Sequence, residues 1–176
     1  MCLIIGMTGV GKTLLLKRLQ NYSSKGSFTS ESEDNPSTIP TVGTNLVNVN
    51  VSKRNEVTIR ELGGAMAPIW YNYFSDCSAL MFVIDASNPC QVSASCIQLL
   101  TTLQSEKMQK VNVLILLNKV DLQLTVPLGE LRYLLRLDDL INTAPQPITV
   151  LEISAKDGQG LSDVIKWLAA NSKGGR

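Results

Sequence analysis

The stretch GMTGVGKT, residues 6–13, decides how the rest of the chain is read. It fits the pattern G-x-x-x-x-G-K-[ST], with Gly6, Gly11, Lys12 and Thr13 at the fixed positions and Met7, Thr8, Gly9 and Val10 between them. That pattern carries a mechanism only where it follows a strand and opens a helix. Both flanks comply: CLIIG, residues 2–6, is an apolar run stopped by a glycine, and KTLLLKRLQNY, residues 12–22, has leucines at 14, 15, 16 and 19. Glycines let successive backbone N–H groups converge on a β-phosphate, and the helix N-terminus adds the positive end of a dipole. Lys12 reaches the β- and γ-phosphates, and Thr13 can bind Mg²⁺. Such a cradle does not distinguish ATP from GTP.

Outward from it, the chain alternates strands and helices. NLVNVNVSKRNEVTIREL, residues 45–62, places Val47, Val49 and Val51 between polar residues, then a four-residue polar turn, then Val57 and Ile59, which predicts a β-hairpin with one wet face. ALMFVID (79–85), VNVLILLN (111–118) and PITVLEIS (147–154) are continuous apolar runs, the pattern of strands buried on both faces. Helices are expected over about 92–109, 128–141 and 161–170, the last with Leu161, Val164, Ile165 and Leu168 on one face. The alternation predicts an α/β fold with a mostly parallel sheet between helices and one antiparallel hairpin. Residues 23–38 are polar, rich in serine and contain Pro36, which reads as a mobile surface loop or a passive linker.

Composition bounds the chemistry. The chain has 176 residues, enough for one domain with a substantial core, and 16 basic against 15 acidic residues, so charge gives no reason to expect a nucleic acid or an anionic membrane as partner. Histidine is absent, which removes histidine-based triads, proton shuttles and metal sites. Cys2, Cys77, Cys90 and Cys96 form no C-x-x-C pair, and no secretory leader is evident. Reduced thiols in a cytoplasmic protein are expected, with Cys2 in a buried strand. No apolar run reaches the roughly 18 residues of a membrane span. Residue 2 is not the glycine of N-myristoylation, and SKGGR carries no prenylation box, so no membrane anchor is expected.

The base is read elsewhere. Asn118-Lys119-Val120-Asp121 ends a buried strand, where open α/β sheets bind ligands. A carboxylate at Asp121 can accept from both the N1–H and the 2-amino group of guanine, whereas adenine offers an acceptor at N1 and no 2-amino group. On its own the tetrad is ordinary turn chemistry. Here Ser154-Ala155-Lys156 ends the next apolar run, placing the Ala155 N–H to donate to guanine O6. Thr41, in IPTVGTN, follows the polar loop and precedes the hairpin, the place for a second Mg²⁺ ligand that also senses a γ-phosphate, or for a plain turn threonine after Pro40.

With these residues in place the chain resembles the small GTPases of the Ras superfamily, in their ADP-ribosylation-factor-like (Arf-like) branch, over nearly its whole length. PTVGTN (40–45) is similar to that branch's first switch, and ELGG (61–64) followed by PIWYNYF (68–74) to its second; FVIDAS, NKVD and SAK follow in the family's order. The resemblance implies a Ras-like G domain of the P-loop NTPase class spanning 1–176, with a six-stranded sheet, switch I at about 23–44, switch II at about 61–74 and a short flexible tail at 171–176. It implies GTP/GDP and Mg²⁺ as cofactors, a monomer, effectors that bind the GTP state, and an exchange factor and a GTPase-activating protein as further partners. Carried over by residue, Gly6 to Thr13 hold the phosphates, Thr13 and Thr41 bind Mg²⁺, and the Gly64 N–H meets the γ-phosphate. Asn118, Lys119, Asp121, Ser154, Ala155 and Lys156 form the base site.

The departures matter as much. The branch usually has an N-terminal amphipathic helix with a lipidated glycine, whereas this sequence starts at the first strand; it has phenylalanine and tryptophan where Thr44 and Arg60 stand, while Tyr73 is kept. It has aspartate where Glu61 stands, so the longer acid is expected to reach Mg²⁺ through water with lower affinity, or else to close the strand by pairing with a lysine. It has glutamine where Ala65 stands. That glutamine orients the attacking water, and a methyl group cannot. Three readings follow: a switch whose turnover is supplied in trans, a scaffold held in the GTP state, and an autonomous GTPase with another water-positioning group.

Overall fold

The computed structural model describes residues 1–25, 39–52 and 54–171. The polar loop expected over 23–38 falls almost wholly outside them, as do residues 172–176 of the expected tail. The strands are β1 (Cys2–Ile5), β2 (Thr44–Ser52), β3 (Asn55–Leu62), β4 (Ala79–Asp85), β5 (Asn112–Asn118) and β6 (Ile148–Ile153), in sheet order β2-β3-β1-β4-β5-β6. Only β2 and β3 run antiparallel, with Val47 opposite Ile59 and Val49 opposite Val57. The remaining pairs are parallel. This is the expected six-stranded sheet.

Strand periodicity divides the core into two. Cys2 and Ile4 of β1 point to the face covered by α1 (Lys12–Lys25) and α5 (Leu161–Asn171), while Leu3 and Ile5 point to the opposite face. That second face is covered by α2 (Val92–Gln104), α3 (Leu128–Leu134), α4 (Leu137–Thr143) and a long 3₁₀ helix, Gly64–Asp76, whose Trp70 and Phe74 are buried. Burying each of those two rings stabilises the fold by roughly 1.5–3 kcal/mol. Cys2 is buried within β1, as its apolar surroundings suggested.

Four expectations change. The hairpin turn is tighter than four residues, because β3 already starts at Asn55, paired with Ser52. The run PITVLEIS is not buried on both faces: β6 is the last strand of the sheet, and Thr149 and Glu152 are exposed. The helix expected over 92–109 stops at Gln104, where Ser105 turns extended and a single 3₁₀ turn, Glu106–Met108, carries Met108 into the core. The helix expected over 128–141 is two helices joined at Arg136, which sits at φ 51° and ψ 37°. In one continuous helix, Leu135 and Leu137 would point about 200° apart. The break lets both be fully buried.

The connection from β1 leaves toward one edge of the sheet and the connection from β4 toward the other, so the loops after these adjacent strands part at their C-terminal ends. That is where open α/β sheets hold ligands.

Candidate nucleotide site

The loop between β1 and α1 lines a pocket through Thr8, Gly9, Gly11, Lys12 and Thr13, facing Thr41, Glu61 and Gly64. Gly11 adopts φ 96°, and a Cβ there would lie 2.5 Å from Asn118 Nδ2, so both its conformation and its space exclude a side chain. Lys12 is buried and its Nζ donates to the carbonyls of Gly6 (2.8 Å) and Met7 (2.9 Å). Burial pushes its ammonium down to about 8, against the opposing pull of the Glu61 carboxylate. Val10 points into the core, and its carbonyl accepts from Asn118.

Asn118 joins three loops. Its Nδ2 donates to Val10 O at 2.8 Å, its Oδ1 accepts from the Ala155 N–H at 3.0 Å, and its backbone carbonyl accepts from the Ala86 N–H at 2.9 Å. The Ala155 N–H, expected from the sequence to face a base, is thus engaged by Asn118. Asp121 Oδ1 accepts from the buried Ser154 Oγ at 2.6 Å, which fixes the carboxylate. Lys119 stands at φ 70°, a left-handed conformation uncommon outside glycine, and its Nζ pairs with Asp85 Oδ2 at 2.5 Å. Lys156 is exposed, with its carbonyl held by Arg18 at 2.9 Å.

Opposite the phosphate loop, Thr13 Oγ1 lies 3.0 Å from Thr41 Oγ1 and donates to Glu61 Oε1 at 2.5 Å, while Thr41 Oγ1 donates to the same oxygen at 3.2 Å. Glu61 is fully buried, and among the described residues its Oε2 has no hydrogen-bond partner and no lysine closes on it as an ion pair. Two hydroxyls and an orphaned buried carboxylate oxygen are hard donors that fit Mg²⁺. Gly63 donates its N–H to Gly43 O at 3.0 Å and accepts from Trp70 Nε1 at 3.1 Å; a Cβ on it would lie 2.3 Å from Thr41 O. A Cβ on Gly64 would lie 2.3 Å from the Thr8 amide nitrogen.

Sequence reasoning missed several participants. Ile39 and Pro40 line the pocket beside Thr41, and Gln91 donates to Thr8 O at 3.2 Å. Asp85, which holds Lys119 and also accepts from the Ser87 N–H and hydroxyl, was visible as an acid ending a wholly buried apolar strand.

Loops at the ends of β1, β5 and β6 therefore meet in one site, and the profile of the ADP-ribosylation factor family matches residues 1–172. The chain belongs to that family. It is 50% identical over 173 residues to human ADP-ribosylation factor-like protein 16, covering 98% of this chain and 86% of that protein. It is 33% identical to ADP-ribosylation factor-like protein 3 of Chlamydomonas reinhardtii, covering 97% of this chain and 89% of that one. Among solved structures it superposes on the Arl6 (BBS3) small GTPase from Trypanosoma brucei with bound nucleotide analogue GppNp, at TM-score 0.78 and 20% identity over 97% of this chain and 95% of that one. That likeness fixes the Ras-like fold. This Arf-family chain has no helix among the described residues long and apolar enough to cross a membrane.

Proposed function

We propose that this Arf-family small GTPase is a guanine-nucleotide switch, alternating between GDP and GTP with Mg²⁺, whose GTP state recruits effector proteins and whose own hydrolysis is very weak. The observation that carries the base assignment is the bridge made by Asn118 between the phosphate loop and Ala155, beside an Asp121 carboxylate held by Ser154. Asp121 would accept from guanine N1–H and the 2-amino group. The Ala155 N–H would share its hydrogen bond between Asn118 and guanine O6, and the Lys119 stem, anchored at Asp85, would cover the base. Lys12 and the backbone of residues 6–13 would hold the phosphates, and Thr13, Thr41 and Glu61 would hold Mg²⁺, which neutralises phosphate charge.

Switching would run through Gly64, whose N–H would meet a γ-phosphate beside Thr8, and through Thr41. Arg60 lies over the Tyr73 ring at 5.6 Å from its centroid, a cation on an aromatic face, which supports effectors different from those read by an apolar surface. All four cysteines are unpaired, in keeping with a cytoplasmic setting.

Ala65 supports the weak-turnover reading. It is exposed next to Gly64 and has no group to orient water. Losing such a group costs about 100-fold to 1000-fold in rate. An activating protein would then bring the catalytic groups in trans; a scaffold held in the GTP state is the second reading, favoured by the same residue. Single-turnover hydrolysis of GTP by the purified protein, beside Ala65→Gln, tests this. Fast wild-type hydrolysis would overturn both readings, and failure of any cell extract to stimulate turnover would favour the scaffold. For the base, Asp121→Asn should exchange guanine affinity for xanthine affinity; unchanged guanine binding would overturn the assignment.

A further inference from the structure

Three oxygens from three separate segments meet around Glu61. Thr13 Oγ1, Thr41 Oγ1 and Glu61 Oε1 are separated by 3.0, 2.5 and 3.2 Å. An octahedral Mg²⁺ with bonds of about 2.1 Å holds neighbouring ligand oxygens about 3.0 Å apart. The 3.0 and 3.2 Å separations match such an edge, while the 2.5 Å one is the shorter hydrogen bond that Thr13 donates to Glu61. Lys12, the nearest buried cation, spends its placed hydrogen bonds on the Gly6 and Met7 carbonyls, and Glu61 Oε2 is left buried without a hydrogen-bond partner among the described residues.

The backbone cannot absorb the extra methylene. Glu61 sits inside the sheet, registered with Ile4 of β1 on one side and Asn45 of β2 on the other. Its Cα is thus fixed between two ladders, and its carboxylate stands about 1.5 Å, one carbon–carbon bond, further out than an aspartate would reach. That is the difference between leaving room for a bridging water and touching the hydroxyls directly.

Resting on the nucleotide-switch reading, we propose that Glu61 ligates the divalent cation directly, beside Thr13 and Thr41, replacing one of its bound waters. The cation then carries a carboxylate in its inner shell in addition to the phosphate oxygens. Strand β3 is tied to switch I through a metal bond rather than through water.

The test uses the protein loaded with Mn²⁺ and a non-hydrolysable GTP analogue, with metal-bound water counted by electron spin-echo spectroscopy in deuterated water. The wild type should show one bound water fewer than Glu61→Asp. Protein labelled with ¹³C at glutamate carboxyls should show a resolved ¹³C hyperfine coupling to Mn²⁺ that Glu61→Gln weakens or removes; this readout stands even where the aspartate variant folds poorly. Guanine-nucleotide binding with equal water counts, or with no carboxylate coupling, overturns direct ligation and leaves the switch reading intact. A protein that binds Mn²⁺ with no preference for guanine nucleotide overturns the switch reading, while the coupling in that sample still decides the ligand.

Discussion

A methyl group on Gly64 would sit 2.3 Å from the Thr8 amide nitrogen and 2.6 Å from its hydroxyl, well inside van der Waals contact. Gly64→Ala must therefore push the segment that opens at Gly64 away from the loop that follows β1. GTP-analogue affinity should fall at least tenfold while GDP affinity changes much less, as read by competition against a fluorescent GDP; equal loss for both nucleotides would detach Gly64 from γ-phosphate sensing. The neighbouring glycine is required for space: Gly63 has φ −57° and ψ 142°, open to any residue, but a Cβ there would strike Thr41 O. A local pattern displays flexibility; a contact to a residue more than 20 positions away is not written in it. Lys12 yields a second test. Its folded pKa is pushed down to about 8 by burial, and phosphates would raise it again, so above that pH nucleotide binding must take up a proton. Affinity measured without divalent metal should be nearly constant from about pH 7 to 8, where the terminal phosphate is already ionised, and fall as the pH rises from about 8 to 9. Calorimetry in buffers of different ionisation enthalpy should show the uptake at the upper end only. No uptake at pH 9 would mean that the ammonium remains charged in the free protein.

At the scale of elements, β1, β4 and β5 were legible because strands buried on both faces are short continuous apolar runs, and the hairpin because its valines alternate. The break at Arg136 was not. LGELRYLLRLDDLINT carries no proline, and its only glycine, Gly129, lies at the start of the first helix, so the sequence gives no local reason to stop midway. The stop is set by burial: Leu131, Leu135 and Leu137 all reach the same core, and the chain adopts a left-handed residue to seat the last of them. A non-glycine residue there costs about 1 kcal/mol or more. The side chain returns little, since its ion pair with Asp139 is largely exposed. Arg136→Gly should therefore raise stability by about 0.5–1 kcal/mol in urea unfolding, whereas Leu137→Ala should lower it by about 2–5 kcal/mol. A lowered midpoint for the glycine variant would show that the Arg136 side chain contributes more than its exposed pairing suggests.

Across the whole molecule, the site joins distant segments into one unit that the motifs announced only in pieces. The motifs at residues 6–13 and 118–121 were each legible from their spacing together with the strands they follow, but the joints between segments, Asn118 to Val10, Lys119 to Asp85 and Gly63 to Gly43, depend on the fold bringing them together. One such line of contacts crosses the second core. Gly43, before β2, accepts from Gly63; Gly63 accepts from Trp70; and Trp70 stands edge-on to Phe82 of β4, with ring centroids 6.4 Å apart at 87°. Any movement of Gly64 toward or away from a γ-phosphate must shift the hydrogen bond on the Trp70 indole. Trp167 lies in the other cluster, on the opposite face of the sheet, with no place in that line. Exchange of GDP for a GTP analogue should therefore change tryptophan fluorescence in the wild type and equally in Trp167→Phe, while Trp70→Phe should abolish the change. A signal that follows Trp167 instead would mean that nucleotide exchange is felt through α5, and that the switch segments are not coupled to the core through Trp70.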